Sequence, residues 1–74
     1  MEIRTITIHT EYIELNQLLK LDGVCNSGGE GKLLVAEGLV KVDGEQELRK
    51  TCKIRSGQVV HYRDLEICVT HRPD

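Results

Sequence analysis

Near the start of the chain, Ile6 and Ile8 fall on one side of an extended segment while Thr5, Thr7 and His9 fall on the other. β-branched residues at period two predict a strand over residues 3 to 9, placed at a sheet edge. From Ile13 the period changes. Leu15, Leu18, Leu19 and Asp22 recur at i, i+3, i+4 and i+7, the stripe of a helix about two turns long, too short to persist without packing partners. Gly23 is placed to end this helix in a left-handed conformation, and Val24 supplies the apolar contact that accompanies such a cap. Ser27 and Glu30 then show the spacing of a capping box ahead of an apolar run. Ser27 is therefore predicted to cap a second helix that carries Lys32 to Glu37 and is closed by Gly38.

Period two returns at Leu39-Val40-Lys41-Val42, and Asp43-Gly44 is a strong signal for a type I′ hairpin turn, which needs positive φ at both central residues. A return strand is expected through Leu48. Residues 49 to 55 contain four cations and no acid, Ser56-Gly57 makes a turn, and Val59-Val60 with Leu65, Ile67 and Val69 supply two closing strands around a bend at Arg63-Asp64. The first and last strands are free to pair, and residues 71 to 74 are expected to fray. The order predicts a single α+β domain over residues 1 to 74, in two layers, with two short helices packed on a small antiparallel sheet.

Length narrows the functional classes. A chain of 74 residues builds one thin core, which excludes a second domain and a roomy buried active site. The longest apolar run, Leu33-Leu34-Val35-Ala36, is far below the ~18 residues of a membrane span, and no basic-then-apolar leader opens the chain. A cytoplasmic protein with no membrane partner is expected. Three cysteines, Cys25, Cys52 and Cys68, form an odd set without a secretory signal, so they are expected to be reduced and buried. Neither they nor His9, His61 and His71 have metal-ligand spacing, and no nucleophile stands beside a base. No metal, cofactor, small-molecule substrate or catalytic activity is expected.

The formal net charge of −2 gives no bulk attraction to nucleic acid, but the bases are unevenly spread. Residues 20–55 hold seven bases against six acids, the preceding segment one against three, and the following segment two against three. Lys32, Lys41, Arg49, Lys50, Lys53 and Arg55 converge if the basic run lies beside the start of the second helix, with Glu37, Glu45 and Glu47 pointing away. That helix start offers unpaired N–H groups and the positive end of the dipole, and Gly28, Gly29 and Gly31 permit close approach of a phosphate. Tight packing of the first helix against the second also accounts for the glycines. A solvated strand edge that resists aggregation also accounts for the cations.

Leu-Leu-Lys-Leu at 18–21, Ser-Gly-Gly-x-Gly-Lys at 27–32, Glu-Gly-x-Val-Lys-Val-Asp-Gly at 37–44, Arg-Lys-x-Cys-Lys-Ile at 49–54 and Gly-Gln-x-Val at 57–60 occur in this order. Together they resemble the RNA-binding domain first described in ribosomal small-subunit protein S-four, the αL motif, and especially its small single-domain YbcJ-like bacterial members. The resemblance implies a module that recognises structured RNA chiefly by shape and phosphate contacts, and with the basic cluster it leads to the expectation of a non-catalytic binder of ribosomal RNA in ribosome assembly or translation. By position it assigns RNA contact to Ser27 and Lys32 at the second helix, to Lys41 on the strand, and to Arg49, Lys50 and Lys53 in the basic segment; the open helix start adds Gly28 and Gly29 to the candidate RNA-binding residues, and the basic run adds Arg55. Two departures remove cations: Glu14-Leu15-Asn16 stands where the family often has Arg-Leu-Asp, and Gly28 where it often has Arg. With net charge negative and aromatics scarce, a protein-interaction module with vestigial RNA binding is the alternative class.

Overall fold

The computed structural model describes residues 1–72. Its elements are β1 (Glu2–Ile8), β2 (Ile13–Glu14), α1 (Leu15–Leu21), α2 (Gly28–Ala36), β3 (Val40–Val42), β4 (Glu45–Gln46), β5 (Lys53–Ile54), β6 (Val59–Tyr62) and β7 (Leu65–His71). Five strands form one sheet in the order β1-β7-β6-β3-β4, and β2 pairs with β5 in a separate ribbon. The fold is α+β, with the two helices on one face of the sheet. Leu15, Leu18, Leu19 and Val35 from the helices join Val40, Val60, Ile67 and Val69 from the strands in a single apolar core.

The sheet is mixed where an antiparallel one was expected. The first and last strands do pair, but they run parallel, with Glu2 beside Leu65 and Ile8 beside His71. Parallel partners need a long crossover, and the helices and inner strands between them supply it. This pairing reaches into the segment that was expected to fray. His71 is the last residue of β7, and the Arg72 N–H donates to the Ile8 carbonyl at 2.9 Å. The rest of the expected tail, residues 73 and 74, lies outside the described residues.

Local signals set the ends of the elements. At the end of α1 the Gly23 N–H donates to the Lys20 carbonyl and the Val24 N–H to the Leu19 carbonyl, both at 3.0 Å, with Gly23 at φ +87°. Those two bonds satisfy carbonyls the helix leaves open, and Gly38 closes α2 in the same way. Asp43 and Gly44 adopt φ 52° and 87°, as the type I′ turn requires. The return strand β4 is shorter than expected. It stops at Gln46, and Leu48 lies beyond it, 56% exposed.

All three cysteines are free thiols. Only Cys25 is buried, whereas Cys52 and Cys68 are half-exposed. Cys68 alternates with Ile67 and Val69 along β7, so it faces away from the core that they enter.

Candidate nucleic-acid interface

The opening of α2 forms as its sequence dictates. Ser27 is extended at φ −150°, and its hydroxyl accepts from the Glu30 N–H at 3.1 Å. The three glycines that follow have different reasons to lack a side chain. A Cβ on Gly31 would lie 2.6 Å from the backbone oxygen of Asn16, so the two helices cross there at a distance only glycine permits. At Gly28 the nearest obstacle is the mobile tip of Gln17, and at Gly29 it is only the Ser27 hydroxyl at 3.7 Å. Close packing explains Gly31, part of Gly28, and none of Gly29.

Asn16 connects this opening to the basic segment. It is 2% exposed, its N–H donates to the Lys50 carbonyl at 3.2 Å, and its side-chain Nδ2 donates to the Gly28 carbonyl at 3.4 Å. One residue earlier, the Leu15 N–H donates to the Cys52 carbonyl at 2.8 Å. Residues 50–52 thus satisfy the first N–H groups of α1, which no side chain caps, and through Asn16 they abut the first turn of α2. The β2–β5 ribbon then fixes the continuing strand, with Lys53 opposite Glu14. Tyr12, just before that ribbon, lies under both Lys53 and Arg55, with the ammonium 4.9 Å and the guanidinium 5.6 Å from the ring centroid. The ring holds two cations on one side of this basic arm, residues 50–55.

Ser27, Gly28, Gly29 and Lys32 therefore share the opening of α2, and Lys50, Lys53 and Arg55 stand on the arm that abuts it. Among the described residues no ion pair engages Lys32, Lys50, Lys53 or Arg55. Arg49 differs. Its Nε and Nη2 donate to the two oxygens of Glu47 at 3.0 and 2.9 Å, and its backbone N–H donates to the same carboxylate. The expectation that Glu47 points away is corrected: β4 has ended, and the carboxylate turns back to Arg49. The Arg49 side-chain and backbone bonds hold the Glu47 carboxyl at about 2, and Glu47 in turn raises Arg49 above its ordinary value. Burial, and then Glu47, pushes the Cys52 thiol up, which keeps it protonated and a poor nucleophile. The opening of α2 and the adjoining residues 50–55 form a candidate cradle, and Lys41 is not part of it. Lys41 lies on the other face of the sheet, paired in register with His61.

Sequence reasoning missed Asn16 and Tyr12. Asn16 lies off the apolar stripe and was noted only as a departure from the family pattern, and the only signal for Tyr12 was that it is one of two aromatic rings.

A family model described as S4 domain matches residues 6–70. The chain belongs to the S4 domain family. Escherichia coli (strain K12) YbcJ, to which RNA binding is provisionally ascribed, is 53% identical to this S4 domain over 51 residues, covering 69% of the chain and 73% of YbcJ. Bacillus subtilis (strain 168) RlbA, provisionally named for ribosome maturation, is 44% identical over 55 residues, covering 74% of the chain and 78% of RlbA. The solution structure of Escherichia coli YbcJ, described as an αL motif involved in RNA binding, superposes on this S4 domain with a TM-score of 0.69. That match has 43% identity and spans 89% of this chain and 85% of the other.

Proposed function

We propose that this S4 domain binds structured RNA without catalysing a reaction on it, and that its target is ribosomal RNA, met in the cytoplasm during ribosome assembly or another step linked to translation. The observation that carries this reading is the junction at Asn16, which sets the glycine opening of α2 against the arm of Lys50, Lys53 and Arg55. Helix N–H groups and cations that, among the described residues, make no ion pair suit a phosphate backbone that is recognised by shape. The names given to YbcJ and RlbA support the same reading. With Arg49 neutralised by Glu47, and with no arginine at positions 14 or 28, the cradle holds a few phosphates rather than many.

Three to five phosphate contacts make log K fall against log salt with a slope of about −2 to −4. Titrating a labelled ribosomal RNA fragment over a salt series measures that slope. Replacing Lys50 and Lys53 together by Ala weakens binding and flattens the slope by about 2. Unchanged affinity and slope in the double variant would remove this surface from the reading.

A further inference from the structure

The resemblance assigns RNA contact to Lys41, but Lys41 lies apart from the cradle, beside His61 and Arg63, to which the resemblance assigns nothing. Alternation along β3 buries Val40 and Val42 and turns Lys41 to the sheet face opposite the helices. The β3–β6 register sets it directly across from His61. Two residues on, Arg63 takes φ 56° at the turn into β7, and its guanidinium lies 5.2 Å from the centroid of the Tyr62 ring. Leu39, Lys41, Gly44, His61 and Arg63 line an open cavity of about 440 Å³.

The charges in this cavity are unevenly committed. Among the described residues neither Lys41 nor Arg63 makes an ion pair. Glu66 on β7 bonds to His61 Nε2 at 2.8 Å on the side of the imidazole away from β3. The other oxygen of Glu66 faces the Cys68 thiol at 3.9 Å. Two cations thus border the cavity with no carboxylate in its lining. Gly44 leaves one wall without a side chain, and nothing lies within 4 Å of where its Cβ would be.

We propose that Lys41 and Arg63, with His61 between them, form a second phosphate subsite for the same RNA that occupies the cradle. The inference rests on the RNA-binding reading above and adds a separate surface on the opposite side of the sheet. Arginine presents a planar fork that matches phosphate oxygens, and lysine adds a point charge across from it. An open site with two cations holds free phosphate weakly. A polyanion already anchored at the cradle is presented to it at high effective concentration, so the subsite acts on a tethered backbone.

The test is the salt series already described, run on a Lys41→Gln/Arg63→Asn double variant. Asparagine tolerates the positive φ at residue 63. Circular dichroism and a thermal melt first establish that the variant is folded. The expected result is weaker binding than the parent and a slope flatter by about 2, comparable with the loss in the Lys50/Lys53 variant. Wild-type affinity and slope in the Lys41/Arg63 variant, alongside weakened binding in the Lys50/Lys53 variant, would overturn the second subsite and leave the cradle standing. No binding by the parent protein at low salt would overturn both. Adding millimolar inorganic phosphate separates a free-anion site from a backbone site: competition there at low millimolar concentration, at constant ionic strength, would overturn the tethered form.

Discussion

Gly29 and Gly31 sit two residues apart in α2, and a methyl group meets different surroundings at each. At Gly31 it collides with backbone that cannot swing aside, so Gly31→Ala is expected to lower stability by about 1–3 kcal/mol in urea unfolding. At Gly29 it meets almost nothing, and Gly29→Ala is expected to leave stability unchanged or raise it by up to about 1 kcal/mol while weakening RNA binding, measured on the same labelled fragment. Glu47 carries a pH signature. Its folded-state carboxyl titrates at about 2 against an ordinary 4.5, so its contribution is fully present above about 4.5 and is lost as pH falls towards 2. Stability measured from pH 5 down to pH 2 should fall less steeply in Glu47→Gln than in the parent. The glycine cluster was visible in the sequence, but its division between packing and openness was not, because the obstacle at Gly31 is a carbonyl fifteen residues away. The Glu47–Arg49 pair was hidden for another reason: period-two reading orients residue 47 only while the strand continues, and the strand stops at Gln46.

The turns and caps followed their local residues closely. Gly23 and Gly38 close their helices and Ser27 opens α2, because each depends on φ or on a hydroxyl within a few positions of itself. The Asp43 turn adds a tertiary role to its local one. Its two carboxylate oxygens accept from the Val59 N–H at 3.0 Å and from Gln58 Nε2 at 3.1 Å, tying the β3–β4 turn to the start of β6. Asp43→Ala loses both bonds and keeps a positive φ without a residue suited to it, which should cost about 2 kcal/mol in thermal unfolding, whereas Asp43→Asn should cost less. The β2–β5 ribbon shows the opposite case. Two residues on each side are too few to display a period, and Ile13 meets Ile54 only after both helices and a hairpin have intervened. The ribbon nevertheless positions Lys53, so the least readable element carries part of the candidate interface.

A molecule with formal charge −2 becomes a candidate polyanion binder through placement alone. The uneven spread of bases was apparent from the chain, and the five motifs gave their order. The approach of residue 50 to the start of α2 was not apparent, because it runs through Asn16, a polar residue bonded on one side to residue 50 and on the other to residue 28. The separation of Lys41 from the other cations does follow from alternation: with Val40 and Val42 inside, a lysine between them faces the side of the sheet that the helices leave bare. Association should therefore respond to substitutions on two sides of the molecule.

The parallel alignment of β1 with β7 has a consequence for how such a unit is joined to others. Seven residues in register, from Glu2 beside Leu65 to Ile8 beside His71, put the point where the backbone enters the sheet and the point where it leaves at opposite poles, roughly 20 Å apart at the usual rise per residue. Copies fused in tandem would follow one another in a line without doubling back. A circular permutant would need a bridge of roughly seven extended residues laid along the outside of the sheet before new termini could be opened elsewhere.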